Sequence, residues 1–594
     1  MTASPLPRPA RVAGVLIAVV VGLGLAVSVF ALGWIGVRGA IAADHLRSAQ
    51  DSAGQVVANI GDPTVAAAAI AAVSDDVSAA HALTSDPIWR ALETTPWLGA
   101  QLVAVATVAS AADSVATDAL TPLADVAATL SPASFKPTDG RVDVSAFIAM
   151  QSAATTAATA MATADDSLDR IPTSALVGPL RDVITQVTDQ FAAAQTGTQS
   201  LENASRLVPA MLGAEGPRDY LVLFQNNAEW RSLGGINGAM VLIHTDGGAL
   251  QLATTDAGSA FPGSDTSVVP LSDEVTAIYG QRPGQWMQNV TQVPDFAVSA
   301  QLARRQWALK HGTEVDGVLA LDPIALSYIL AATGPVTLPS GDVLTSENAV
   351  ALLLNDVYLR YPDTADQDAF FAEATGAIFG ALTSGPVDPS GLLTALAKAG
   401  DQNRLMIWSA HDEDQELLAN TSLAGGLPRT DSEVSTFGVF VNDGTGSKMD
   451  FYQSVDAQVL WESCTLDSRD LAQGIADLNV TVANNAPADA ANLPDYVTAA
   501  GWYGVPPGST RTVGYIYLPE GFELTNATLS NGSGFSGGMH DGRRVLSFDV
   551  VLAPGESVVA SVAASPTSPT GATLVAQVTP TVNANVTRPI SACL

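Results

Sequence analysis

The sequence predicts a multidomain protein with an N-terminal transmembrane helix, an α-helical stalk, an α/β or α+β head and a C-terminal immunoglobulin-like β-sandwich. Three observations predict this fold class. A long uncharged run lies near the start of the chain. It is followed by segments in which apolar residues recur every three or four positions, as in helices. Near the end of the chain, apolar and polar residues alternate between turn signals, as in strands. A chain of 594 residues is also too long for one hydrophobic core, so several domains are expected.

The first element is the apolar run over residues 12–37. It contains no charged side chain and is long enough to cross a hydrocarbon layer of about 30 Å. We expect an uncleaved anchor, with residues 1–11 as a cytoplasmic tail and the bulk of the chain extracytoplasmic. A cleaved signal peptide is the alternative, because residues 40–42 fit a small-residue cleavage site, although its apolar core would be unusually long. We find no second apolar run of that length, so a single-pass protein of the cell membrane is predicted.

The remaining domains differ in their periodicity. Residues 38–212 carry Ala-rich stripes at helical spacing, punctuated by Pro96 and Pro122, and predict a slender helical stalk. Candidate strands and helices alternate over residues 213–435, as in an α/β or α+β head. Residues 436–594 alternate with a period of two between turn signals, which predicts the β-sandwich.

Composition excludes several classes of function. The net charge of −33 repels nucleic acid, so no nucleic-acid partner is expected. The six His lie far apart, and there is no phosphate-binding or dinucleotide-binding glycine motif, so neither a metal nor a cofactor is predicted. The Ala content and the preference for Arg over Lys are typical of high-GC coding and suggest an actinobacterial source.

The chain has two cysteines, Cys464 and Cys593. In an oxidising compartment we expect them to form a disulfide that ties down the end of the chain. Two unrelated buried thiols are the alternative.

The candidate site is the segment "FQNNAEWRSLGG", which follows an apolar strand. Asn226 and Asn227 can form side-chain turns, and Glu229 and Arg231 share a face of an extended chain. Gly234 and Gly235 allow close backbone approach, so Arg231 beside them could hold an anionic oxygen. A structural role, in which a Glu–Arg pair satisfies an irregular crossover, is equally open.

This segment resembles the hallmark of bacterial membrane proteins grouped as domain-of-unknown-function family 4012, roughly L-x-x-x-Q-N-N-x-E-x-R-x-x-G-G-F. Gln225 and the six candidate residues match it, and Ile236 stands where an aromatic residue is usual. The pieces "VDGVLALDPIALSYILAATGPV" and "SKMDFY" also resemble that family.

A more distant similarity is to LytR-CpsA-Psr phosphotransferases, which transfer glycan phosphates from polyprenyl pyrophosphate carriers. It implies Arg231, Arg282, Asp295 and Asp322 as ligand-binding candidates. The expected function is therefore binding or transfer of an anionic envelope glycan or a polyprenyl-linked precursor at the head. A non-enzymatic envelope scaffold or adhesion-type module is the alternative, and the sequence identifies no protein partner.

The topology can be tested by labelling single introduced cysteines in intact cells with a membrane-impermeant maleimide. We expect His45→Cys to react and Pro5→Cys to be protected, because residues 12–37 separate the two positions. The parent chain, which carries neither substitution, sets the background. Labelling at position 5 with protection at position 45 would reverse the orientation.

Overall fold

The structure is a computed structural model that describes residues 33–55, 63–129, 140–385, 387–419, 421–467, 471–583, 588–589 and 593. The expected cytoplasmic tail and most of the expected anchor, residues 1–32, lie outside the described residues. The chain divides into two compact units, one of residues 1–134 and 144–209 and one of residues 135–143 and 210–594. Both the head and the β-sheet domain fall in the second unit.

The first unit is helical, as the sequence predicts. Its small side chains let helices approach closely: Ala42, Ala80 and Ala109, from three different helices, meet in one cluster and are each 0% exposed. A turn of π-helix, Ala116–Leu120, joins α4 to α5. The helices are α1 (residues 33–55), α2 (Pro63–Thr84), α3 (Pro87–Leu92), α4 (Leu98–Val115), α5 (Thr121–Thr129), α6 (Val144–Asp169) and α7 (Gly178–Met211), whose last residues enter the second unit.

Among the described residues, one helical stretch is long and apolar enough to cross a membrane, Leu98–Val126 in α4 and α5. Unlike the N-terminal run, this stretch carries charged side chains, Asp113, Asp118 and Asp125. About 39% of its most apolar window is buried within the protein. Ala104 and Val108 on this stretch pack against Leu168 of α6. Core helices of globular domains often have this length and composition.

The head is built on a mixed five-stranded sheet with the order β3-β2-β1-β4-β7. Only β1 and β4 run parallel among its pairs, and the remaining neighbours are antiparallel. The two-residue turn Gly247-Gly248 joins β2 to β3, with both φ angles positive, as a tight hairpin requires. The strands are β1 (Arg218–Arg231), β2 (Gly234–Asp246), β3 (Ala249–Ala257), β4 (Gly317–Leu321), the small pair β5 (Val336–Thr337) and β6 (Val343–Leu344), and β7 (Leu405–Ser409).

Helices cover this sheet and carry its connections. Asp322 begins α11 by accepting a hydrogen bond from the N–H of Ala325 at 2.7 Å. A turn of π-helix, Leu352–Asp356, lies between α12 and α13. The helices are α8 (Asp273–Tyr279), α9 (Arg282–Gln285), α10 (Phe296–His311), α11 (Pro323–Thr333), α12 (Ala349–Ala351), α13 (Val357–Arg360), α14 (Thr364–Ser384), α15 (Pro389–Asp401) and α16 (Asp412–Leu418).

The C-terminal part contains two five-stranded sheets, ordered β12-β15-β10-β9-β17 and β13-β14-β11-β8-β16. Alternate residues from both sheets, such as Val480 and Ile516, share one core. The immunoglobulin-like arrangement stays a prediction. The strands are β8 (Val434–Asp443), β9 (Gln453–Leu466), β10 (Ala472–Asn484), β11 (Thr510–Tyr517), β12 (Phe522–Leu529), β13 (Ser536–His540), β14 (Arg543–Leu552), β15 (Ser557–Pro566), β16 (Thr573–Val578) and β17 (Arg588–Pro589), with helix α17 (Asp495–Thr498) between β10 and β11.

The structure pairs Cys464 on β9 with Cys593, with 5.6 Å between their Cα atoms. The two residues are 129 positions apart. Closing a loop of this length stabilises a domain by about 2–5 kcal/mol, because it restricts the unfolded chain.

Candidate functional site

The polar segment lies on strands β1 and β2, and its middle leaves the sheet. β1 continues to Arg231, but its pairing with β2 passes directly from Asn226, opposite Ile236, to Trp230, opposite Gly235. Residues 227–229 therefore form a bulge. Beside the bulge, Oδ1 of Asn226 accepts a hydrogen bond from the backbone N–H of Ala228 at 3.0 Å. This is the kind of side-chain turn that the sequence indicates for Asn226.

The two glycines opposite the bulge are required by backbone conformation or by close packing. Gly234 has a φ of +132°, and a Cβ added there would lie 2.4 Å from the side-chain oxygen of Gln225. A Cβ on Gly235 would lie 2.3 Å from the carbonyl carbon of Asn226. A side chain at Gly235 would collide with the backbone of β1, whereas Gly234 is required mainly by its positive φ, because its nearest neighbour is the movable end of the Gln225 side chain.

The bulge places the Glu229 carboxylate between two cations. Its Oε1 accepts from Nη2 of Arg231 at 3.1 Å, and its Oε2 accepts from Nζ of Lys448 at 2.8 Å. The three side chains are between 7% and 11% exposed. Lys448 also lies over the rings of Tyr358 and Tyr496, 5.6 and 5.9 Å from their centroids. Each oxygen of this buried carboxylate is thus paired with a cation inside the protein.

Arg231 has further partners within the chain. Its Nη1 donates to the carbonyl oxygen of Trp230 at 2.8 Å, and its Nη2 also donates to Oδ1 of Asn289 at 3.1 Å. Only Nε, which is buried, has no hydrogen-bond partner. The guanidinium is therefore directed at the protein's own acceptors and not at open space.

The residue between the two charged ones points the opposite way. Trp230 is fully buried in the core shared by the two C-terminal sheets. Its backbone N–H donates to Oδ2 of the buried Asp450 at 2.6 Å, and Gln453 donates to the other carboxyl oxygen. The "SKMDFY" piece thus supplies both Lys448 and Asp450 to the polar segment of the head. Most of this piece forms a short 3₁₀ helix, Met449–Tyr452.

A second buried pair anchors the other side of the bulge. The Nδ2 atom of Asn227 donates to Oδ2 of Asp322 at 3.1 Å and to the carbonyl of Pro580 at 2.9 Å. Asp322 is fully buried and pairs with Nη1 of Arg404 at 2.5 Å. Since Asp322 follows β4, which runs parallel to β1, the polar groups gather beyond the carboxyl ends of two parallel strands. Such ends are where open sheets commonly bind ligands.

A pocket of about 170 Å³ opens at this edge of the sheet. One side is polar and includes Asn226, Glu229, Asp322, Lys448 and the hydroxyl-bearing Tyr358. Asn226 donates to that Tyr358 hydroxyl and so holds the ring at the pocket. Gln225 and Asn237, which face each other across β1 and β2, also line the pocket.

Apolar side chains form another part of the pocket wall. They come from α11, from the π-helical turn and from α14, and they are Leu326, Leu353, Leu354, Phe371, Ala374 and Ile378. The same helix α14 also contributes the polar Gln367, Asp368 and Thr375. The pocket therefore offers both hydrogen-bonding groups and hydrocarbon.

The surrounding charges set the protonation of the network. Burial alone would raise the pKa of Glu229, but Lys448 and Arg231 outweigh it and hold that pKa below its usual range. Burial, followed by repulsion from Glu229, raises the pKa of Asp443 to about 6. Burial also raises the pKa of Asp450 well above its usual range. A carboxylate matched by two cations stays ionised, whereas its neighbours retain protons more readily.

The structure brings only part of the predicted set to the pocket. Asn226, Glu229 and Asp322 line it, and Asn227, Gly234 and Gly235 hold the bulge beside it. Arg231 is not among the lining residues. Arg282 is exposed at the start of α9, and Asp295 caps α10 by accepting from Ala297 at 2.9 Å. The four residues implied by the phosphotransferase similarity are therefore not gathered at one pocket.

Sequence reasoning did not single out the other polar groups of the pocket. Lys448 had a usable signal, because it is one of only four Lys in the chain and lies in a piece that resembles the family. Tyr358 and Asn237 had none, since an isolated Tyr or Asn in a candidate helix or strand is ordinary. Their role follows only from strand pairing and helix packing.

Comparison with known protein families agrees with the motif. Residues 215–358 match the model of a family described as "Protein of unknown function (DUF4012)". This confirms the resemblance predicted from the polar segment. The match covers both strands of the bulge, Asp322 and Tyr358, and ends before Lys448 and Asp450. No curated protein matches the sequence.

The first prediction from this geometry concerns Arg231→Lys. If Arg231 served an anionic ligand, the variant would keep its stability and lose the ligand. We expect the reverse, because Lys cannot reach Glu229, Asn289 and the Trp230 carbonyl together. Each hydrogen bond that is not replaced should lower the free energy of unfolding by about 1.5–3 kcal/mol. Chemical denaturation of the full chain measures this.

A matched control is Arg360→Lys, since Arg360 forms an exposed pair with Asp342 at 2.7 Å. Exposed pairs contribute about 0–1 kcal/mol, so this variant should unfold like the wild type. Equal stability of the two variants would mean that Arg231 is not held as the structure has it.

The second prediction concerns pH. The pKa of Glu229 in the folded protein lies below the reference value of 4.5, so its ionisation stabilises the fold above about pH 4.5. That stabilisation is lost as the pH falls through the folded-state pKa. The difference in unfolding free energy between the wild type and Glu229→Gln should therefore be largest above pH 4.5 and shrink below it. Glu314→Gln, at a carboxylate that is 61% exposed, should show a much smaller difference. If the difference in unfolding free energy between the wild type and Glu229→Gln grew as the pH fell, the lowered pKa of Glu229 would be contradicted.

Proposed function

We propose that this chain, whose residues 215–358 match the DUF4012 model, is a single-pass, membrane-anchored, extracytoplasmic protein of the cell envelope. We propose further that its head binds an amphiphilic ligand. A lipid-linked glycan precursor has the required chemistry, with hydrogen-bonding groups joined to an apolar chain. The pocket carries the proposal. Most of its polar and apolar lining residues are buried, and ligand sites commonly combine a hydrophobic lining with a few placed polar groups.

The cellular location rests on two features. The uncharged run of residues 12–37 supports an N-terminal anchor. The Cys464–Cys593 disulfide supports an oxidising compartment for the rest of the chain. Since lipid-linked precursors reside in the membrane, a head tethered to that membrane would meet them at high local concentration.

Binding is better supported than group transfer. Transfer of a glycan phosphate requires cationic groups around the phosphate oxygens. Among the residues carried over from the phosphotransferases, Asp322 alone lines the pocket, and its carboxylate is already engaged by Arg404 at 2.5 Å. Arg231, the best candidate for an anion contact, pairs with Glu229.

A scaffold or adhesion-type module is the second candidate, and one observation favours it. Trp230 of the polar segment is buried in the core of the two C-terminal sheets, so part of the motif serves to join the head to those sheets. If the motif is purely structural, the native protein should hold no ligand in the pocket. The presence or absence of a bound ligand therefore distinguishes the two candidate functions.

The proposal predicts the effect of filling the pocket. Ala374 on α14 is 3% exposed and lines the apolar side, so the ring in Ala374→Phe should occupy the space of a ligand's apolar chain. Ala372→Phe on the same helix is the matched control, because Ala372 is exposed and does not line the pocket.

Both full-length variants should be purified from native membranes, and their bound lipids should be extracted and identified by mass spectrometry. We expect an amphiphile in stoichiometric amount with the wild type and Ala372→Phe, and at least a tenfold smaller amount with Ala374→Phe. Thermal melting verifies that all three proteins are folded. Equal amounts in both variants, or no bound amphiphile in the wild type, would favour the scaffold.

A further inference from the structure

The pocket's charges and hydrogen-bonding groups constrain the polar part of the ligand. Among the described residues that line the pocket, Lys448 alone is basic, and its ammonium group is paired with Glu229 at 2.8 Å. The acidic lining residues are Glu229, Asp322 and Asp368. An anionic group entering this pocket would meet no unpaired cation and would approach a protein of net charge −33.

Two buried amides add a requirement for both donors and acceptors. Gln225 and Asn237 line the pocket and are 2% and 0% exposed. Neither Nε2 nor Oε1 of Gln225 has a hydrogen-bond partner, and neither does Oδ1 of Asn237. The amide orientation of Asn237 is fixed because its Nδ2 donates to the Met287 carbonyl at 3.0 Å. The wall therefore offers one donor group and two acceptors that the chain leaves unpaired.

Groups that only accept or only donate hydrogen bonds fit this arrangement poorly. A phosphate or carboxylate presents acceptors only and would leave the two amide oxygens unpaired. An ammonium group presents donors only and would leave the amide nitrogen unpaired. A pair of hydroxyls supplies two donors and an acceptor and can satisfy all three atoms, and a secondary amide, with one N–H and one carbonyl, can satisfy the amide nitrogen and one of the two oxygens. The neighbouring Lys448 and Glu229 likewise place a donor beside an acceptor.

We infer that the pocket selects an uncharged head group rich in hydroxyl or amide functions, and not the anionic group expected from the sequence. The inference rests on the proposed function, which requires only an amphiphile. It assigns the head group to the Gln225–Asn237 wall and to the Lys448–Glu229 pair, and the apolar chain to the face of α14. Any phosphate of a lipid-linked ligand would then lie outside the pocket.

The test uses four probes on the delipidated full chain, with binding followed by isothermal titration calorimetry below the critical micelle concentrations. Three probes share a C8 chain and differ in the head group: octyl β-glucoside, octyl phosphate and octylammonium. Free glucose is the fourth probe and lacks the chain. We expect octyl β-glucoside to bind at least tenfold more tightly than any other probe, a difference of about 1.4 kcal/mol.

Gln225→Leu should weaken octyl β-glucoside binding about tenfold without loss of stability, because the replaced atoms have no partners in the chain. Gln306→Leu is the matched control: Gln306 is 4% exposed with an unpartnered Nε2, and it does not line the pocket. Its affinity should equal that of the wild type.

The outcomes separate the two proposals. Octyl phosphate binding as tightly as the glucoside, or an unchanged affinity in Gln225→Leu, would overturn the head-group inference and leave amphiphile binding intact. Glucose binding as tightly as its octyl derivative would overturn the amphiphile proposal itself. If no probe binds, the head-group inference fails, and the comparison of Ala374→Phe with Ala372→Phe decides the proposed function independently.

Discussion

The Glu229 carboxylate, held between Arg231 and Lys448, is the interaction on which the head depends. A buried carboxylate is tolerated only when its partners are in place, because removing one partner of such a pair costs about 3–5 kcal/mol. Here both oxygens are matched, one by a cation two residues along the same strand and one by a lysine 219 residues away. The pairing therefore fixes the bulge of β1 and the chain segment before β9 in one geometry.

The same short segment performs two tasks because side chains alternate along an extended chain. Glu229 and Arg231 lie in the ionic network, whereas Trp230 enters the core of the C-terminal sheets and Asp450 holds its backbone N–H. Head and sheets are consequently parts of one compact unit and not modules joined by a linker. A substitution in the ionic network should thus affect the junction as well as the pocket, which is why our tests of binding use Gln225 and Ala374 instead.

The pocket follows from the same constraint. The network holds Glu229 and Lys448 in the pocket wall, where they pair with each other, and α11, the π-helical turn and α14 supply much of the apolar lining. Paired charges still donate and accept hydrogen bonds, so the described lining is polar without an unpaired cation. This distinguishes the pocket from a phosphate site, where unpaired cations face the ligand. The N-terminus of α11 also lies at the pocket, but the Asp322 carboxylate caps it.

The sequence by itself determined the helical first part, the presence of β-sheets after it, the family of residues 215–358 and the polar segment as the place of interest. These features are local, because periodicity, turn residues and short motifs depend only on residues that are neighbours in the sequence. It also allowed the Cys464–Cys593 pairing to be anticipated, since the chain has two cysteines. It could not decide whether Arg231 faces a ligand or a carboxylate, because both roles use the same residue in the same motif.

Only the tertiary structure decided that question, by bringing Lys448, Asp450 and Asn289 to the segment across separations of 58 to 220 residues. It also left Arg282 and Asp295 out of the pocket that Asp322 lines, and it brought residues of α14 to that pocket. Long-range contacts of this kind depend on strand order and helix packing, and no local pattern in the sequence encodes them. The charge balance of a buried site can therefore be determined only when the positions of all its charged partners are known.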